Sequence, residues 1–231
     1  MSLEIAGPEL EAAFSVDRGD ERSAQSVLEK YWWLLLDYPW RHPPDRLGVY
    51  SQVPIGVGEK QYVPDLMVFD DPPSQGFTTC TIWHLVELQA PGAPMVTRSG
   101  AIAKPFRRAY EQVLEWSQWL KEYSKAASDL FWGRHQIHFR YSIIMSRRSL
   151  ANDHVWKRVP PMREANRYIN LSIRTYDSLL ETAFGIGDAT WNWYEQTGGK
   201  VFLRDQFRTR SALEYDRSAD TLKIIKSHGS R

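Results

Sequence analysis

Three extended stretches follow one another between Arg46 and Leu88, and the residues separating them form turns rather than helix. They run from Arg46 to Ile55, from Gln61 to Phe69 and from Phe77 to Leu88, with GVGEK and DDPPSQG as the breaks. Such a run reads as an antiparallel meander, and the rest of the chain must be arranged on that sheet. Ahead of it, Asp20 is a suitable N-cap for a helix carrying Val27, Leu28, Tyr31, Leu34 and Leu35 at helical spacing, with Pro39 marking its end. Behind it, Lys104 to Tyr123 reads as a long amphipathic helix with Pro105 in its first turn. Phe106, Ala109, Val113, Trp116 or Ser117, and Leu120 form its apolar face. Gln136 to Met145 is a further strand, MREANRY a short helix, Asn170 to Arg174 another strand, and TYDSLLETAF a helix capped by Thr175. The order αβββαβαβα predicts an α/β (α+β) fold, a central mixed β-sheet flanked by helices. From about Gly185 onward no pattern can be placed.

Composition narrows the function classes. Of the 231 residues 42% are hydrophobic and 25% charged, values of a folded chain and not of a disordered or fibrous one. At ~150 residues per domain, one substantial core with extensions is expected. The longest apolar block, Tyr31 to Leu36, falls far short of the ~20 residues of a membrane span. No membrane partner is expected. The acidic start, Met1 to Leu10, does not resemble a secretory signal, so a cytoplasmic location is the expectation. The single cysteine, Cys80, can make neither an internal disulfide nor a cysteine-rich zinc site.

Net charge is only +1, but the charges are segregated. Met1 to Thr97 holds 6 basic and 14 acidic residues, Arg98 to Arg174 holds 15 and 6, and the remainder 8 of each. The basic middle contains Lys104, the pairs Arg107 and Arg108, Arg147 and Arg148, and Lys157 and Arg158. An arginine-rich surface beside an acidic site is suited to positioning a phosphate backbone, whereas a solvated face is the plainer alternative.

The acidic site itself comes from a hairpin. If the second and third stretches pair about Gly76, Asp65 faces Glu87 across a loop of about eleven residues, longer than usual for a hairpin. Alternation then puts Glu87 and Gln89 on one face and Ile82, His84, Val86 and Leu88 on the other. Two carboxylates so placed suit Mg2+, which binds through one or two carboxylates together with substrate phosphate and water. A pair of exposed strand-end acids is the bland alternative.

PDLMVFD followed by VELQAP resembles the PD-(D/E)xK nuclease signature. ERSAQSVLEKY before it, and AYEQVLEWSQWL, YSIIMSRR and INLSIRTYDSLLE after it, together resemble the Shedu nuclease domain of bacterial anti-phage defence. The resemblance covers roughly Asp20 to Phe184, leaving 1–19 and 185–231 as extensions. It implies a restriction-endonuclease-like core, a metal-dependent endonuclease acting on DNA, phage DNA as partner and self-association into a homo-oligomer. Carried onto this chain, Asp65 and Glu87 hold Mg2+ or Mn2+, and Gln112 is the glutamine of the helix behind the motif. Glu21 and Gln25 match first-helix positions. The departure is Gln89, which stands where the family has its lysine. Glutamine can orient water or hydrogen-bond a phosphate oxygen but carries no charge. Two expectations follow: cleavage with a replacement cation from Lys104 or Arg107, or a weakened site that binds without cutting.

Other features carry less. His135 and His138 lie three apart in a strand and point to opposite faces, and His84 alternates away from Glu87, so no zinc site is expected. GVGEK lacks the setting of a phosphate loop, and no nucleotide cofactor is expected. Ser146, beside two arginines, fits a phosphate contact better than a nucleophile. Of 10 tryptophans, Trp116, Trp119, Trp191 and Trp193 could stack on bases, though core packing is the default, with WNWYEQ the exception.

Overall fold

The computed structural model describes residues 3–17, 19–35, 46–57, 60–71, 80–122, 136–150, 169–181, 211–216 and 221–226. MREANRY, WNWYEQ with Trp191 and Trp193, His135, and the Lys157 and Arg158 pair lie outside these residues.

The chain begins with a helix that the sequence reading left as an extension, α1 (Leu3–Ala13), followed by α2 (Glu21–Lys30). Asp20 caps α2, its side chain accepting the Ser23 N–H at 2.6 Å. The helix ends sooner than Pro39, at Tyr31, and a 3-10 turn over Trp32–Leu35 completes the apolar face. Leu10, Phe14, Leu28, Leu34 and Leu35 are fully buried, so α1 and the segment behind it belong to the core.

The predicted meander is present with one subdivision. β1 (Arg46–Ser51) pairs with β4 (Leu66–Asp71), and the short β2 (Ile55–Val57) pairs with β3 (Lys60–Tyr62), in a single continuous register. One hairpin is therefore interrupted between Ser51 and Ile55 and again before Leu66. Gln52 there takes a positive φ of 50°, and Pro64 offers no N–H to a ladder. β5 (Cys80–Leu88) pairs antiparallel with β4, then parallel with β6 (Gln136–Ile144), which pairs parallel with β7 (Leu171–Arg174). The five strands stand in the order β1-β4-β5-β6-β7. This mixed sheet flanked by helices is the α+β arrangement expected from the sequence. A separate hairpin, β8 (Ser211–Asp216) with β9 (Thr221–Lys226), lies in the stretch where no pattern was legible.

Each face of the sheet is covered by its own helices. Trp83 and Leu85 of β5 and Met67 of β4 pack against Phe106, Ala109, Val113 and Trp116 of α3 (Lys104–Glu122). Leu66, Val68, Val86 and Leu88 pack on the opposite side with α1, α2 and a last helix, α4 (residues 176–181). The two-residue period of the strands delivers alternate side chains to the two layers. Trp83, Trp116 and Trp119 are core residues and stack on no ligand surface. Among the described residues no helix is long and apolar enough to cross a membrane.

Candidate active site

The register that places the acids is the one read from the sequence. Leu66 pairs with Val86, Met67 with Leu85 and Val68 with His84, so the next step outward sets Asp65 opposite Glu87. Asp65 stands just before β4, where the ladder opens, and its Oδ2 accepts the Leu88 N–H at 2.7 Å. A carboxylate in place of a strand carbonyl thus satisfies the last donor of β5. The Asp65 carbonyl accepts the Gln52 N–H at 3.0 Å and the Gln25 Nε2 at 3.4 Å. Glu87 shares the α3 face with Trp83 and Leu85 and is only 5% exposed. Its Oε2 accepts Gln112 Nε2 at 3.0 Å and its Oε1 accepts Gln89 Nε2 at 3.4 Å. Gln112 reaches it because α3 lies across the strand with Phe106, Ala109 and Val113 buried beneath.

The electrostatics of this pair are unusual for a folded chain. Burial pushes the Asp65 carboxyl up to about 7, against the Leu88 hydrogen bond that lowers it, with the Glu21 charge adding to the rise. Burial again, then Asp65 and Glu21, push Glu87 up to about 9, partly offset by Gln89. Among the described residues, the donors to the two carboxylates are the Leu88 N–H, Gln89 and Gln112. Lys104, Arg107 and Arg108 are exposed on the first two turns of α3. Arg108 and Lys104 do stand one and two turns ahead of Gln112 on the same side of α3, bordering the site.

Arg147 and Arg148 are occupied elsewhere. Arg147 Nε donates to Asp177 Oδ1 at 3.0 Å and its Nη1 to the Phe14 carbonyl at 2.9 Å, fastening the segment after α1 to α4. Arg148 makes a two-pronged pair with Glu181, 2.5 and 2.8 Å, and its N–H donates to Asp177. Ser146 is fully buried with a φ of 62°, which takes it out of reach of a phosphate. His84 is a satisfied core histidine, its Nε2 2.7 Å from Ser142 Oγ, and His138 lies exposed on β6.

Gln25 is buried at the junction of α2 with β1. Its Nε2 donates to Ser51 Oγ at 3.0 Å and its Oε1 accepts Gln52 Nε2 at 3.2 Å, while Ser51 donates to Glu29. The Glu29 carboxyl is raised by its burial, against those hydrogen bonds. A role for Ser51, Glu29 and Tyr176 at this site was not read from the sequence. The Tyr176 hydroxyl donates to the Gln89 carbonyl at 2.9 Å, and Asp65 and Glu21 add to the rise that burial gives its phenol. The one available signal was its place inside the TYDSLLE motif, since 87 residues separate Tyr176 from Gln89.

Asp65 and Glu87 are the side chains that could hold a hard divalent cation here: two carboxylates whose hydrogen-bond donors among the described residues are neutral. No cluster of three or more His, Cys, Asp or Glu placed for a metal occurs among the described residues. A cation held by this pair would need further ligands from water or substrate. The family model described as Shedu protein SduA, C-terminal, matches residues 18–180. No curated protein matches the chain. With more than half of its length matched, the chain belongs to the Shedu SduA C-terminal family.

Proposed function

We propose that this Shedu protein is a metal-dependent deoxyribonuclease that hydrolyses phosphodiesters in phage DNA. Family membership supports a role in anti-phage defence. The observation that carries the reading is the buried pair, Asp65 opposite Glu87, both carboxyls raised by burial and Glu87 further by the charge of Asp65. A divalent cation would relieve the cost of ionising such a pair, and Asp65 and Glu87 would hold it. Mg2+ or Mn2+ bound there supplies Lewis-acid polarisation of the phosphodiester and a more acidic water. The protein's own residues do the rest. Asp65 and Glu87 hold the charge, and Gln112 keeps Glu87 in one orientation through its 3.0 Å bond. Gln89, beside Glu87, offers an amide to a water or phosphate oxygen. Lys104 and Arg108 face solvent at the border of the site, with Arg107 exposed beside them, and the three fit the flanking phosphates.

One observation favours a second reading, a module that binds nucleic acid without turnover. Among the described residues the hydrogen-bond donors to the two carboxylates are amides, and Gln89 stands where the family has its lysine. Cleavage of linear and circular DNA by the purified protein in Mg2+, Mn2+ or EDTA separates the two readings. Metal-dependent cutting by the wild type that disappears in Glu87→Ala is the expected result. Binding without cutting, with activity gained in Gln89→Lys, would replace the nuclease with the binding module.

A further inference from the structure

Gln89 lies one residue beyond β5, where its strand no longer fixes it. Its main chain is held at two points. The N–H donates to the Ile144 carbonyl of β6 at 3.0 Å, and the carbonyl accepts the Tyr176 hydroxyl at 2.9 Å. Tyr176 is fully buried, and its ring centroid lies 4.6 Å from that of Phe14, itself fully buried. The Tyr176 N–H is in turn tied to the Ser146 carbonyl at 3.1 Å. The segment after α1 also presses directly on the loop that follows Gln89. A Cβ at Gly92 would stand 2.7 Å from the Val16 carbonyl oxygen, and one at Gly19 would stand 3.1 Å from Pro91 Cγ. The Gln89 peptide is therefore gripped between the sheet on one side and a phenol on the other, and that phenol is fully buried against Phe14.

We propose that Tyr176 is the positioning residue for Gln89, fixing its main chain so that the side-chain amide stays beside Glu87. The consequence for cleavage rests on the nuclease reading above; the grip on the loop does not. An ammonium acts as a point charge and tolerates some displacement, whereas an amide acts through directed hydrogen bonds and loses its effect when the backbone beneath it shifts. A chain with glutamine at this position depends on that support more than one with lysine.

The test compares the full chain with Tyr176→Phe, which keeps the ring and removes the donor. Hydrogen exchange at the Gln89, Ala90 and Gly92 amides is read against β6 as internal reference. Single-turnover cleavage of linear duplex in Mn2+ and DNA affinity in EDTA are read alongside. The expected result is faster exchange at those three amides with β6 unchanged, together with a cleavage rate lowered roughly tenfold at unchanged affinity. In a Gln89→Ala background the same substitution is expected to add nothing. Unchanged exchange in the loop overturns the proposal, and so does a full further loss of rate in the Gln89→Ala background. If the wild type never cuts, the nuclease reading fails on its own. Exchange then decides alone: acceleration keeps Tyr176 as the residue that fixes Gln89, and its absence removes it.

Discussion

Two acidic clusters stand near the carboxyl ends of the parallel strands β5 and β6, and the chain treats them in opposite ways. Asp177, Glu181 and Glu11 meet Arg147 and Arg148, which pair with them at 2.5 to 3.5 Å. Among the described residues Asp65 and Glu87 take hydrogen bonds from two side-chain amides and a main-chain N–H, with the Glu21 charge nearby. The first cluster is closed by its own cations and ties α1, β6 and α4 together. The second is not closed by a described cation, and the cost of burying its charge is carried by protons or by whatever cation arrives. Neutralised acids near a sheet end are therefore architecture here, and uncompensated ones mark a place for a ligand.

Exchanging the consequences of the two clusters is the strongest way to break this contrast. Glu87→Ala is expected to cut metal-dependent cleavage roughly a thousandfold or more with the fold retained. Asp177→Ala is expected to keep cleavage while unfolding in urea at a midpoint that reflects a loss of about 2 kcal/mol, because Arg147 loses its main partner. Equal effects of both substitutions on activity would erase the distinction. Next in size is the solvent-facing trio on α3. Replacing Lys104, Arg107 and Arg108 together with alanine is expected to weaken DNA binding ~10-fold or more at low salt. It should also flatten the log–log salt dependence by up to about 3. An unchanged slope would place the phosphates elsewhere.

The pH response sharpens the same contrast. Asp65 and Glu87 have folded-state values raised to about 7 and about 9, above those of the unfolded chain. Their contribution to stability is thus fully present below the unfolded values near 4 and is lost as pH rises through about 7 and then about 9. In EDTA, the melting temperature of the wild type relative to Glu87→Gln should fall between pH 6 and 9. Mg2+ or Mn2+ should raise it most at the alkaline end. A metal shift that is the same at every pH would contradict the coupling. The smallest effect belongs to Arg148→Ala. Its pair with Glu181 is solvent-exposed, and no resolvable change in melting temperature or cleavage is expected from removing it.

Much of the site was legible in the sequence because β-strands have a period of two. Once the hairpin centre is chosen, alternation fixes which residues share a face, and it set Asp65 against Glu87 and kept His84 away. The apolar stripe of α3 was equally plain, since seven of its residues are buried at helical spacing. The N-terminal helix was not legible. Its Pro8 lies inside the helix and its buried residues Leu10, Ala13 and Phe14 give only a short stripe. The subdivision of the first hairpin was hidden too, because Gln52 and Pro64 read as ordinary strand residues until the ladder is seen to break between them.

The sequence by itself determined the strands, their register about the acids, the helix that carries Gln112 and the segregation of charge, because each depends on local period and turn chemistry. The tertiary structure alone decided which basic residues are free and which are spent. Arg147 and Lys104 are equivalent as letters, yet one is locked to Asp177 and Phe14 while the other faces solvent. It also brought Tyr176 to Gln89. Pairings across 30 to 133 residues arise from packing two layers on one sheet, and a linear pattern carries no information about which distant side chains that packing brings together.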